Sequence, residues 1–195
     1  ETSAGPLHPI AEFARLAHEA GAMFMTDVVT SLAGCELEFD DWELDFAYSG
    51  SQKCLAAPPG ISPVALSERG LDYIRNRPKP PTSWYLDLQL IADYWGPDHI
   101  AHHTAPVSMI YGRREAVGMA LNEGLSARWE RHAANASALR AGLRALNLEL
   151  PVPEDERLDQ LTLVRLPKGV DDVKLRNQLL DEYSMEVGRG LGEFA

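Results

Sequence analysis

Apolar residues recur at helical spacing after Pro9: Ile10, Phe13, Leu16, Ala17 and Ala20 share one face, and Pro9 suits the first turn of a helix. Gly21 is placed to close that helix. Polarity then drops, and Ala22 to Val29 forms a short apolar run with one charge, Asp27, near its end. Such a run, apolar on both faces, predicts a buried parallel strand. Leu44 to Tyr48 predicts a second strand, and Ile61 to Leu66 a third, which Pro63 confines to an edge or an irregular position. Helix followed by buried strand is half of a βαβ unit.

Residues 75–83 carry three prolines (Pro78, Pro80, Pro81) among basic side chains and predict an extended, solvated connector. Trp84 to Trp95 predicts a helix stopped by Gly96-Pro97. A long amphipathic helix follows, marked by Val107, Ile110, Val117 and Leu121 and ending near Gly124. The next, from about Ala127 to Leu146, places Trp129, Ala136, Leu139, Leu143 and Leu146 on one face. Beyond Pro151 the pattern shortens to strand (161–166), helix (170–183) and strand (185–187). The expected division is 1–115, the C-terminal part of a large domain, and 116–195, a small α+β domain.

A hydrophobic content of 45% and a charged content of 24% over 195 residues fit a globular chain. No apolar run reaches the roughly 20 residues that span a bilayer, so no membrane partner is expected. The net charge of −11 repels phosphates and argues against nucleic acid. Two cysteines, Cys35 and Cys54, are too few for a disulfide framework and fit a reducing compartment; the expected location is cytoplasmic, with a peroxisomal or mitochondrial one as the alternative. The first residues carry no Met or targeting pattern and the last follow a strand-like stretch, so both ends read as cut.

The chemistry centres on Tyr-Ser-Gly-Ser-Gln-Lys-Cys-Leu-Ala (48–56), which sets Lys53 in a small polar turn twenty-six residues after Asp27. A partly desolvated lysine is a carbonyl nucleophile. An aspartate at depth is what a pyridoxal ring needs opposite its nitrogen. Taken singly, each has a plainer reading: Lys53 as a surface cation, Asp27 as a strand-end cap. His99, His102 and His103 lack a carboxylate or thiol at ligand spacing, and the adjacent pair is expected to diverge. They read as structural or interface residues, with no metal site. Trp84, Trp95 and Trp129 read as core or interface.

Five motifs in order, 1–5 (Glu-Thr-Ser-Ala-Gly), 27–34 (Asp-Val-Val-Thr-Ser-Leu-Ala-Gly), 49–55 (Ser-Gly-Ser-Gln-Lys-Cys-Leu), 57–60 (Ala-Pro-Pro-Gly) and 102–106 (His-His-Thr-Ala-Pro), change those odds. Essentially the whole chain resembles the class V aminotransferases of pyridoxal-phosphate fold type I, nearest the alanine–glyoxylate / serine–pyruvate aminotransferase group. The resemblance implies an α/β fold: part of the large mixed-sheet domain plus most of the small α+β C-terminal domain. It implies pyridoxal 5'-phosphate as cofactor, small amino-acid and 2-oxo-acid substrates, and a homodimer with shared sites. By it, Lys53 is the Schiff-base lysine, with a pyridoxamine form carrying the amino group between half-reactions. Asp27 pairs with the pyridine nitrogen, Val29 packs on the ring, Thr2 meets the ring hydroxyl and Gln52 reaches the phosphate. Thr104 helps hold the phosphate of the neighbouring subunit's cofactor.

The chain departs from the family at Ala101, where members often carry an aromatic phosphate contact. By the resemblance, the family's glycine-rich phosphate loop lies before Glu1 and its carboxylate-binding arginine beyond Ala195; Arg189 is not that arginine. Two further readings stand beside the transaminase: a catalytically incomplete piece that serves folding and dimerisation, and a cysteine desulfurase-like class V enzyme. Desulfurases usually place histidine directly before the lysine, where this chain has Gln52.

Overall fold

The computed structural model describes residues 4–191. They form two compact units: residues 9–29 with 37–122, and 4–8 with 30–36 and 123–191.

The first unit opens with α1 (Ile10–Glu19). Ile10 and Ala14 form its buried seam, while Phe13 and Leu16 stay more than 40% exposed. Gly21, at a left-handed φ of 72°, turns the chain out, its N–H bonding the His18 carbonyl and the Ala22 N–H that of Ala17. β1 (Met25–Asp27) pairs parallel with β2 (Phe46–Tyr48), and β2 pairs antiparallel with β3 (Val64–Leu66), in the order β1-β2-β3. The expected parallel pairing and edge position are both present. Each strand is only three residues long, and Met25 is 65% exposed, so β1 is not buried on both faces.

Between β3 and the proline connector lies a helix that periodicity missed, α2 (Glu68–Arg75). Ser67 caps it by accepting the Gly70 N–H at 3.0 Å. Gly70 is required there, since a Cβ would lie 2.7 Å from the Asp45 carbonyl oxygen. Asp45 is the unit's buried charge, 2% exposed. Its Oδ2 accepts the Phe24 N–H at 2.8 Å and lies 2.9 Å from His18 Nε2 and 3.4 Å from Arg69 Nη1. Burial pushes its pKa up, but these donors and the Arg69 charge outweigh burial and hold it below the ordinary carboxylate value. Thus α1, β2 and α2 meet at one carboxylate.

The 75–83 connector is not simply solvated: Arg77 Nη2 binds Asp87 Oδ1 at 2.8 Å, and Asp87 caps α3 (Leu88–Trp95). The helix expected from Trp84 therefore starts four residues later, after the exposed Trp84-Tyr85-Leu86 segment. α4 (Val107–Glu123) follows, burying Ala116 and Ala120.

In the second unit α5 (Leu125–Ala145) buries Ala136, while Leu139 and Leu146 are 52% and 71% exposed, so the apolar face drawn from spacing is not a continuous seam. Leu158 is the unit's large buried side chain, and its N–H bonds the Gly5 carbonyl. α6 (Asp172–Tyr183) is capped by Asp171 and ends at Ser184 in the left-handed conformation. The strands expected at 161–166 and 185–187 do not form; an isolated bridge joins Arg165 to Glu149. A short apolar run becomes a strand only where a partner offers its ladder. Among the described residues, no helix is long and apolar enough to cross a membrane.

Candidate functional site

Parallel pairing of β1 and β2 carries Asp27 and Tyr48 to the same end of the sheet as register partners. The carboxyl ends of parallel strands are where open α/β sheets hold ligands. Asp27 is fixed on both oxygens: Oδ1 accepts the Val29 N–H at 2.8 Å, and Oδ2 accepts the Tyr48 hydroxyl at 2.8 Å. The phenol pKa of Tyr48 is raised, first by that hydrogen bond, then by burial and by the Asp27 charge.

The lysine turn leaves β2 directly. Ser49, 2% exposed, donates its N–H to the Pro63 carbonyl at 2.9 Å and its hydroxyl to Val28 O at 3.1 Å. Ser51, 0% exposed, donates its hydroxyl to Pro58 O at 2.6 Å and its N–H to Ile61 O at 3.2 Å. Both serines are therefore anchors, and Gln52 and Lys53, directly after them, are exposed. Lys53 is exposed, and its ammonium forms no ion pair with the described residues. Its carbonyl accepts the Ala56 N–H at 2.8 Å, closing the turn with Ala56 at a φ of 55°. Gln52 folds back over Gly50, where a Cβ would lie 2.6 Å from Gln52 Oε1.

The Ala-Pro-Pro-Gly turn continues from there and meets α4. A Cβ on Gly60, whose φ is 123°, would strike Met109 Sδ at 2.5 Å. Thr104 is exposed two residues before Pro106, whose carbonyl starts the α4 hydrogen bonds. Val29 is half-buried directly after Asp27-Val28. Asp27, Val29, Gln52 and Lys53 thus belong to one pair of strand ends, with Thr104 on a separate loop of the same unit. Thr2 lies outside the described residues.

The histidines differ from expectation. His102 and His103 turn toward each other, with Nδ1 atoms 2.9 Å apart, and His102 Nε2 lies 3.0 Å from Trp84 O. A carbonyl only accepts, so His102 donates from Nε2, and the neutral pair then needs the proton on His103 Nδ1. Trp84 lies over His102 with ring centroids 4.1 Å apart, and Tyr94 lies 4.9 Å from His103. Trp84 and Trp95 are both 59% exposed and so are not core residues of this chain. No group of three or more histidine, cysteine or acidic side chains among the described residues could hold a metal.

Spacing brought out Asp27 and Lys53 but missed Tyr48, Ser49 and Ser51. For the serines a signal existed, since small hydroxyl residues at alternate positions beyond a strand suit buried turn anchors. The Tyr48–Asp27 bond joins residues 21 apart and is visible only once the strands are paired.

The Aminotransferase class-V family model matches residues 1–191. The (S)-ureidoglycine–glyoxylate transaminase of Bacillus subtilis is 35% identical, the match covering 100% of this chain and 51% of that protein. The alanine–glyoxylate aminotransferase of Drosophila melanogaster is 38% identical over 94% of this chain and 48% of its own. The crystal structure of an alanine–glyoxylate aminotransferase from a Nostoc species superposes with a TM-score of 0.95 at 41% identity, over 100% of this chain and 52% of that one. The chain spans about half the length of the relatives it matches. Its mixed α/β architecture is that of pyridoxal-phosphate fold type I. With its full described length matched, the chain belongs to the class V aminotransferase family.

Proposed function

We propose that the full-length protein is a pyridoxal-phosphate-dependent aminotransferase that moves an amino group from alanine or serine to glyoxylate or pyruvate. One observation carries the reading. Asp27, its carboxylate fixed on both oxygens, ends the strand beside the one whose following turn presents Lys53 with no ion-paired partner among the described residues. The residues fit the cofactor chemically. A carboxylate has about four acceptor sites, so the Val29 and Tyr48 donors do not by themselves exhaust what Asp27 can accept. A lysine without an ion-pair partner can attach to an aldehyde once its amine is deprotonated.

Bound pyridoxal phosphate supplies the electron sink and the amino-group carrier. Asp27 keeps the ring nitrogen protonated. Lys53 holds the cofactor covalently and, once displaced, moves a proton at the substrate α-carbon. Val29 covers a ring face, Gln52 reaches the phosphate and Thr2 the ring hydroxyl. Thr104 serves the phosphate of a second copy's cofactor, which makes the enzyme a homodimer. Trp84, Tyr85, Trp95, Ile100 and Tyr111, each more than half exposed, favour that assembly, because large apolar side chains gain by burial against a partner.

Glyoxylate is the acceptor named in both kinds of relative, whereas their donors differ between alanine and ureidoglycine. The ureidoglycine relative matches the entire chain, so that donor is the second reading. Absorbance decides the chemistry: the loaded full-length protein should show a visible band that Lys53→Ala abolishes and that L-alanine shifts. A full-length protein without a Lys53-dependent band would sink the proposal. Rates with alanine, serine and ureidoglycine against glyoxylate then assign the donor.

A further inference from the structure

Tyr48 stands directly opposite Asp27 in the parallel β1–β2 pair, so the two side chains project from the same face of the sheet. Its hydroxyl donates to Asp27 Oδ2 at 2.8 Å, while the Val29 N–H holds Oδ1 at the same distance. One donor comes from the carboxylate's own strand end and the other from the neighbouring strand. Together they oppose rotation of the carboxylate about its terminal torsion, which is otherwise broad. A packing role alone would not need the hydroxyl: the ring lies beside Phe46, with centroids 6.2 Å apart, and phenylalanine would fill that place equally well.

We infer that Tyr48 is a positioning residue, whose hydroxyl holds the Asp27 carboxylate in the orientation that meets the cofactor's ring nitrogen. The inference rests on the proposed role of Asp27. Because the phenol stays protonated past the ordinary tyrosine range, it remains a donor throughout the neutral and mildly alkaline range.

The test uses full-length protein and three readouts of Tyr48→Phe: cofactor dissociation constant of the apo-protein, ring-nitrogen NMR with 15N-labelled cofactor, and apo-protein melting. The variant should bind pyridoxal phosphate about tenfold more weakly, the size expected for one hydrogen bond to a charged group. The ring-nitrogen signal should move toward the unprotonated position, with apo-protein melting nearly unchanged. In an Asp27→Ala background, Tyr48→Phe should add nothing to either cofactor readout, as a pair acting as one unit requires. Wild-type affinity and an unmoved nitrogen signal in Tyr48→Phe would overturn the inference alone, as would strict additivity with Asp27→Ala. Loss of apo-protein folding would overturn it too, by assigning Tyr48 a structural role. A wild-type protein that binds no cofactor through Lys53 would overturn the proposed function and this inference together.

Discussion

Ser51 is wholly enclosed, and three backbone or hydroxyl bonds to Pro58, Ile61 and Ala57 pass through it. Lys53, two residues on, is exposed, so the shape of its turn is set from beneath by the serine. Ser51→Ala removes its hydroxyl bond to the Pro58 carbonyl, at a cost of about 0.5–1.5 kcal/mol. A fall of that size in urea-unfolding stability is the expected outcome, and an unchanged midpoint would remove Ser51 as the anchor. Ala56 closes the same turn in the left-handed region, where a side chain costs about 1–2 kcal/mol. The turn is therefore held by buried bonds against its own backbone preference.

At the scale of elements, α2 shows two effects of opposite sign at Gly70. Alanine in place of a helical glycine gains about 1 kcal/mol in propensity. The added Cβ, 2.7 Å from the Asp45 carbonyl oxygen, meets backbone that is itself tied to Ser67, and overpacking of this kind costs about 1–3 kcal/mol. The clash wins, so Gly70→Ala should lower the melting temperature; a rise would show that α2 can shift. How far these elements were legible follows from where their information lies. α1 could be read from its apolar spacing, whereas α4 and α5 were legible from their length and the break at Gly124, since their apolar residues do not gather on one face. α2, at eight residues, is amphipathic and capped by Ser67, but too short for its spacing to stand out between β3 and the prolines. The strands came out overlong, since an apolar run does not mark where its partner's ladder stops. Asp27 and Lys53 stood out through the motifs that carry the family resemblance, each having a plainer reading by itself, whereas the Tyr48–Asp27 bond needed the pairing of β1 with β2.

Across the whole molecule, acid removes what its bound carboxylates contribute. Arg131 and Arg128 hydrogen-bond Glu123 and hold its pKa down to about 2 against an ordinary 4.5, burial opposing them. Asp45 is likewise held below its ordinary value, against burial. Both folded values lie below the unfolded ones, so both contributions are complete above the ordinary carboxylate range and are lost as pH falls through it. For Glu123 that window runs from 4.5 to about 2. Urea-unfolding midpoints should therefore decline across it, less steeply in Glu123→Gln, and equal slopes would refute the assignment. At the alkaline end Tyr48 acts with the opposite sign: its raised phenol value contributes stability below the ordinary tyrosine range that is lost as pH rises beyond it.

The register of β1 against β2 also bears on what this gene can tolerate. Asp27 and Tyr48 face one another because both strands count their residues from fixed points: the helix end at Gly21, and the buried Asp45 just before β2. An in-frame insertion of a single codon within either strand turns every later side chain of that strand to the other face. Hydrophobic content would hardly change, yet Asp27 and Tyr48 would part. The proline connector at 78–81 can absorb such a length change far more readily. In-frame length variation among descendants of this gene should therefore accumulate in the connector and be purged from two three-residue strands.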